Sequence, residues 1–131
     1  MPEMIKPRPK FLALNEIRLP LAGFASILHR VSGAGLFLML PLLVYVLQLS
    51  LDPSADGVAA FKAVAGNPFV KLVLFGLSWA FLHHFCMGIR ILLIDVHVGV
   101  EKEAARKSAT AVMAVSLALT LVVAMKFLGV L

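Results

Sequence analysis

Charge is what this sequence has least of. Asp, Glu, Lys and Arg make up 15% of its 131 residues, against roughly a quarter in soluble domains. That is too little polar surface to cover a water-soluble body. Apolar residues reach 61%, above the roughly 45–50% of soluble chains, and the mean hydropathy is +0.99. An integral membrane protein follows. Cysteine is nearly absent: Cys86 stands alone inside an apolar run, which excludes an internal disulfide framework and a cysteine-ligated cluster. There is no Gly-rich phosphate loop and no nucleophile–base arrangement, so bond-making chemistry by this chain alone is not expected. A cleavable signal peptide is also missing, since the first apolar run is followed by no small-residue cleavage site. Glu3 and Glu16 speak against an organelle transit peptide, and the expected location is a bacterial inner membrane.

The few charges are mostly basic, with a formal net charge of +5. They flank apolar runs, which suits anionic lipid headgroups and topology rather than nucleic acid. Three windows free of charge stand out: Val31–Leu51, Leu72–Ile89 and Ser108–Met125. Each reaches or nears the ~20 residues that cross the hydrocarbon as helix, and a lone strand would leave its backbone groups unpaired in lipid. The expectation is an all-α membrane-anchor domain over 1–131, with a cytoplasmic leader 1–21 and helices over about 24–51, 69–94 and 106–128. Pro41, mid-span, predicts a kink. Asp52-Pro53 and Asn67-Pro68 predict turns and a helix restart. Five basic residues (Lys6, Arg8, Lys10, Arg18, Arg30) precede the first span and four (Arg90, Lys102, Arg106, Lys107) follow the second. Lys62, Lys71 and Lys126 occupy the other side. The imbalance puts the N-terminus in the cytoplasm and the C-terminus in the periplasm. Ser116, Thr120 and Ala124 form a small-residue stripe that packs either within this chain or on a partner subunit.

Ionisable groups inside a span are costly and mark function. His83 and His84 lie near the middle of the second helix, on faces about 100° apart. His84 continues the i+4 series Gly76, Ala80, His84, Gly88, a shallow groove in which a flat macrocycle could lie with the imidazole on its iron. The alternative is a histidine hydrogen-bonded to a neighbouring helix. His83 shares a bulkier face with Trp79, Met87 and Arg90. The chain offers no obvious second imidazole: His29 sits near the cytoplasmic end of the first helix, and His97 lies beyond Asp95. A haem here would take its other ligand from another chain. Ser26, His29 and Arg30 form a second cluster, at i, i+3 and i+4. Three donors on one face suit a propionate or a quinone carbonyl; the alternative is an Arg reaching the headgroups beside an interfacial His and a helix-start Ser. Ser32 and Gly33 permit close packing. Arg90 and Asp95 read as a topology-setting pair at the interface. Glu101, Lys102, Glu103, Arg106 and Lys107 read as a solvated helix entry with local ion pairs. Arg8-Pro9 reads as extended leader or a docking point for a soluble partner.

The segment Ser26-Ile27-Leu28-His29-Arg30-Val31-Ser32-Gly33, the later His84-Phe85-Cys86-Met87-Gly88-Ile89-Arg90 and then Asp95 resemble the two signatures of the succinate dehydrogenase cytochrome b subunit. Arg8-Pro9, Ile17-Arg18-Leu19-Pro20, the loop lengths and the three spans extend the resemblance over the whole chain. Members often have His or Phe where this chain has Ile91, and an aromatic or Met where it has Ile94.

The resemblance implies one of two small membrane anchors of respiratory complex II, a succinate:ubiquinone oxidoreductase, not catalytic by itself. It implies haem b shared with a second anchor, with His84 as one axial ligand to the iron and the other supplied by that partner. Ser26 and Arg30 match positions lining a ubiquinone site beside the iron–sulfur subunit, and His29 and Arg30 match positions near the haem propionates. Electrons would run from succinate through the flavoprotein subunit and the iron–sulfur clusters to the quinone. A fumarate reductase anchor and a haem-free structural anchor are the alternatives. A transporter subunit is disfavoured by the lack of paired intramembrane carboxylates and broken-helix repeats.

Overall fold

A computed structural model describes residues 16–129. The Arg8-Pro9 stretch and most of the leader lie outside the described residues. Among those residues every regular element is a helix: α1 (Leu21–Leu38), α2 (Leu40–Leu51), α3 (Ala55–Gly66), α4 (Pro68–Asp95) and α5 (Lys102–Phe127). Three of these, α1, α4 and α5, are long and apolar enough to cross a membrane.

α1 and α2 occupy the first charge-free window and are separated only by Met39, which leaves helical geometry at φ −92°, ψ 1°. The cause is Pro41, at the start of α2: its nitrogen has no hydrogen to give the Phe37 carbonyl, and its ring crowds that carbonyl. The break separates α1, which packs on α4, from α2, which does not. Asp52-Pro53 then ends α2, and the loop that follows folds into α3 instead of remaining a plain turn. Ser54 caps α3 by accepting from the Gly57 N–H at 3.0 Å, while Asp52 accepts from the Ser54 N–H at 2.9 Å. Asn67 starts α4 in the same manner, its Oδ1 accepting from Phe69 and Val70 N–H, and Pro68 takes the first helical position, where a missing N–H costs nothing.

α4 is the centre of the bundle and packs on both α1 and α5, while α3 leans on α2 and α4. Its interior face runs Leu77, Ala80, His83, Met87, Arg90, a three-and-four spacing of one helical stripe. The core gathers around Met87, Ala25, Ala109 and Val112, with Ala22, Cys86, Ile91 and Met113 at its edge. Two of its members are alanines with no exposed surface, so α1 and α5 approach α4 closely, as membrane helices do where small residues meet. Ser116 and Thr120 are buried inside the chain. That resolves the alternative for those two residues of the α5 stripe: their hydroxyls bond back to Met113 and Ser116 carbonyls.

Arg90 departs from its expected role at the interface. It is only 8% exposed and reaches across to α5. Its Nε donates to Ser108 Oγ at 2.9 Å and its Nη2 to the Ala105 carbonyl at 3.0 Å. Charge counting alone could not show this, because the direction of a long side chain depends on what the next helix offers. Asp95 is exposed. The ion pair among the described residues is Lys107–Glu103 at 2.8 Å, one turn apart at the entry of α5.

Candidate functional site

The two intramembrane histidines part ways. His83 has no exposed surface; its ring stacks on Trp79 at 5.4 Å, its Nε2 lies 3.4 Å from the Ala25 carbonyl, and its Nδ1 is buried without a partner. It joins α4 to α1 inside the core. His84, one residue on and about 100° round the helix, is half-buried at the edge of the same helix pair.

His84 is held by one turn of α1, from three directions. Its ring stacks on that of His29, centroids 4.1 Å apart and planes 14° from parallel. Its Nδ1 lies 3.0 Å from the His29 carbonyl and 3.4 Å from Ser32 Oγ, and the Ser32 hydroxyl donates to that same carbonyl at 2.9 Å. Gly33 lies against the third side: a Cβ there would stand 2.7 Å from His84 Cε1 and 3.1 Å from Nδ1.

A carbonyl oxygen can only accept, so Nδ1 carries the proton in that hydrogen bond. This tautomer leaves the Nε2 lone pair available, and no described residue bonds to it. Metal-bound imidazoles are oriented in this way, by donating the other ring nitrogen's hydrogen to a backbone carbonyl. The chemistry of the residue therefore fits an axial haem ligand. The groove expected along Gly76, Ala80, His84 and Gly88 is different. At Gly88 the nearest atom to an added Cβ is His29 Nε2, 4.0 Å away, and Ala80 is buried. The His84–Gly88 part of the stripe admits α1 rather than a macrocycle, and Nε2 is the point of approach.

His29 does not share a face with Ser26 and Arg30. Its ring turns to α4, and its Nε2 is buried with no hydrogen-bond partner. The two rings are in stacking contact, with no gap between them for a flat macrocycle. Ser26, half-buried, and Arg30, exposed, lie one turn apart on α1. Neither engages a described residue through its side chain. Ile91 fills core space beside Met87, where a polar side chain would need a partner. Among the described residues no three His, Cys, Asp or Glu side chains converge as a metal cage. A groove of about 480 Å³ between Leu36, Leu43, Leu77 and Phe81 is apolar. The Ser78 hydroxyl in its wall is spent on the Leu74 carbonyl, so the groove offers packing rather than chemistry.

What sequence inspection missed was the role of Gly33, Ser32 and the His29 carbonyl. The S-G pair after His29-Arg30 was a visible signal for close approach, but which side chain approaches is a tertiary fact.

Residues 4–123 match the family model described as succinate dehydrogenase/fumarate reductase transmembrane subunit. The chain is 32% identical over 121 residues to the succinate dehydrogenase cytochrome b556 subunit of Paracoccus denitrificans, covering 92% of each chain. It is 29% identical over 119 residues to that of Rickettsia felis, covering 91% of this chain and 92% of the relative. With that of Coxiella burnetii the identity is 32% over 109 residues, or 83% of this chain and 87% of the relative. With nearly its whole length matched and the paired helix signatures in place, the chain belongs to the succinate dehydrogenase/fumarate reductase transmembrane subunit family.

Proposed function

We propose that this chain is the cytochrome b anchor of a succinate:quinone oxidoreductase, multi-pass in a bacterial inner membrane with its N-terminus in the cytoplasm. One observation carries the haem assignment: the His84 Nδ1–H is committed to the His29 carbonyl, 3.0 Å away, and Nε2 is left as the donor atom. A haem b, when bound, supplies a one-electron redox centre whose potential follows its axial ligands. His84 provides one ligand, and the other comes from a second anchor subunit, because His29 is stacked on the wrong side and His97 lies at the end of α4. Arg30, exposed on α1, would meet a propionate, and His29, whose buried Nε2 lacks a partner, would reach one only by turning its ring away from α4.

Ser26 and Arg30 take the quinone. The serine hydroxyl donates to a quinone carbonyl, and the guanidinium one turn away stabilises negative charge as electrons arrive from the iron–sulfur subunit. The flavoprotein subunit oxidises succinate; this chain anchors the assembly and shapes the quinone site. The names of the curated relatives favour succinate oxidation over fumarate reduction.

A dithionite-reduced minus oxidised spectrum of the purified complex tests the haem claim. A sharp b-type α band that disappears or shifts in His84→Ala is expected. An unaltered band in that variant would remove His84 from the site. For the quinone, Ser26→Ala and Arg30→Ala should each lower quinone reductase activity at least tenfold, while succinate oxidation by a soluble artificial acceptor stays near wild type. Normal quinone reduction in both would refute the assignment.

A further inference from the structure

We propose that Gly33 is a positioning residue for the haem ligand: the missing side chain at this point of α1 is what lets His84 keep its ring on the His29 carbonyl. The observation is steric. An added Cβ at Gly33 would lie 2.7 Å from Cε1, 3.1 Å from Nδ1 and 3.8 Å from Nε2 of His84, and ordinary side-chain contact begins near 3.4 Å. The methyl would meet the Cε1–Nδ1 edge, the edge that carries the bond to His29 O.

The His84 ring is the part that must shift. The His29 ring covers one face at 4.1 Å, so withdrawal means sliding along that ring and away from α1. Any such slide lengthens the 3.0 Å Nδ1···O bond. Two properties of the ligand depend on that bond. It fixes the tautomer that leaves Nε2 unprotonated, and it sets how electron-rich the imidazole is. Ser32, 3% exposed, sits in the same seat and shares the same carbonyl. The turn His29–Gly33 is thus one device: stacking ring, carbonyl acceptor, the Ser32 hydroxyl and clearance at Gly33.

The seat bears on haem only if His84 is the iron ligand, as proposed above, and the test separates the two. The holo-complex is purified with Gly33→Ala, with Gly35→Ala, and with His84→Ala alone and combined with Gly33→Ala. Gly35 is the internal control, being on the same helix but with nothing within 4 Å of an added Cβ. Gly33→Ala should lower the haem-to-flavin ratio at least twofold, or shift the α band, the low-spin electron paramagnetic resonance signal and the midpoint potential of the haem that remains. Gly35→Ala should match wild type in all four. A Gly33→Ala complex with wild-type haem content, spectra and potential overturns the proposal.

Should Gly33→Ala instead reduce recovery of the complex, the double variant reads the cause. Recovery equal to that of His84→Ala alone means the penalty passes through the ring, as proposed. A further loss in the double variant means the methyl damages α1–α4 packing elsewhere, and the positioning role fails. A wild-type haem spectrum in His84→Ala refutes the ligand assignment itself, whatever Gly33→Ala does.

Discussion

Neighbouring residues of the same type end up in different roles here because a helix turns about 100° per residue. His83 is a core residue and His84 a half-buried edge residue, and their sequence neighbourhood alone separates them only by face. Arg90 makes the same point with charge. Its guanidinium is buried between α4 and α5 on Ser108 Oγ and the Ala105 carbonyl, with a long contact to Met87 Sδ at 3.9 Å. The planar guanidinium holds its donors in a fixed fork and is more weakly hydrated, whereas a lysine ammonium is a flexible, strongly hydrated point charge that is costlier to bury. Arg90→Lys should therefore destabilise the complex by about 1–3 kcal/mol, seen as a lower thermal unfolding midpoint in detergent. Full retention of the midpoint would show that the fork is dispensable. His97 lies at φ +63°, where α4 ends with Val98 N–H on the Leu93 carbonyl and His97 N–H on the Ile94 carbonyl. This is the helix stop that ordinarily uses glycine at the left-handed position. His97→Gly should raise the midpoint slightly, by an amount corresponding to roughly 1 kcal/mol or less, with the haem spectrum unchanged; a lower midpoint would mean the side chain has a role of its own.

At the scale of elements, caps and breakers explain most boundaries and were the most legible part of the chain. Asn67-Pro68 marks the start of α4, and Pro41 marks the break between α1 and α2. As one straight helix, Leu21–Leu51 would span about 46 Å, longer than the ~30 Å hydrocarbon layer, so a bend helps fit the segment. Pro41→Ala restores a donor for the Phe37 carbonyl. Spin labels at Leu21 and Leu51 should then move apart in pulsed distance measurements, and an unchanged distance would show that packing, not proline, makes the bend. α3 was less legible, since a short, alanine-rich segment between Pro53 and Pro68 carries no strong apolar stripe to mark it as a helix. Asp52 is part of its capping: the Ser54 side chain first, and its backbone N–H second, hold the Asp52 carboxyl below its ordinary value of 3.8. The sign is that of a depressed acid. Its contribution to loop order is complete above 3.8 and fades as the pH falls through its lowered value. A titration followed by nuclear magnetic resonance should place Asp52 below 3.8, and Ser54→Ala should move it back up. No movement would assign the shift to other groups.

On the scale of the whole molecule, most of the protein's surface faces away from itself. Within the three spanning windows only 11%, 22% and 22% of residues are buried inside the chain, so lipid and partner helices must cover the rest. The proposed orientation has a direct check. With Cys86 replaced, a single cysteine at Gly99 should be labelled by a membrane-impermeant maleimide only from the cytoplasmic side, and one at Ala59 on α3 only from the periplasm. The reverse pattern would invert the topology.

Membrane class and the positions of the apolar spans were determined by the sequence itself, because burying charge or unpaired backbone in hydrocarbon costs too much for any other arrangement. The motifs also singled out His84, Ser26 and Arg30 as the candidates for chemistry. Tertiary structure alone decided which small residues face which side chains: that Gly33 clears space for His84, that His29 turns from Ser26 and Arg30 to stack on α4, and that Arg90 bridges to α5. Those outcomes depend on the distance and rotation between helices, which packing selects and local sequence does not encode.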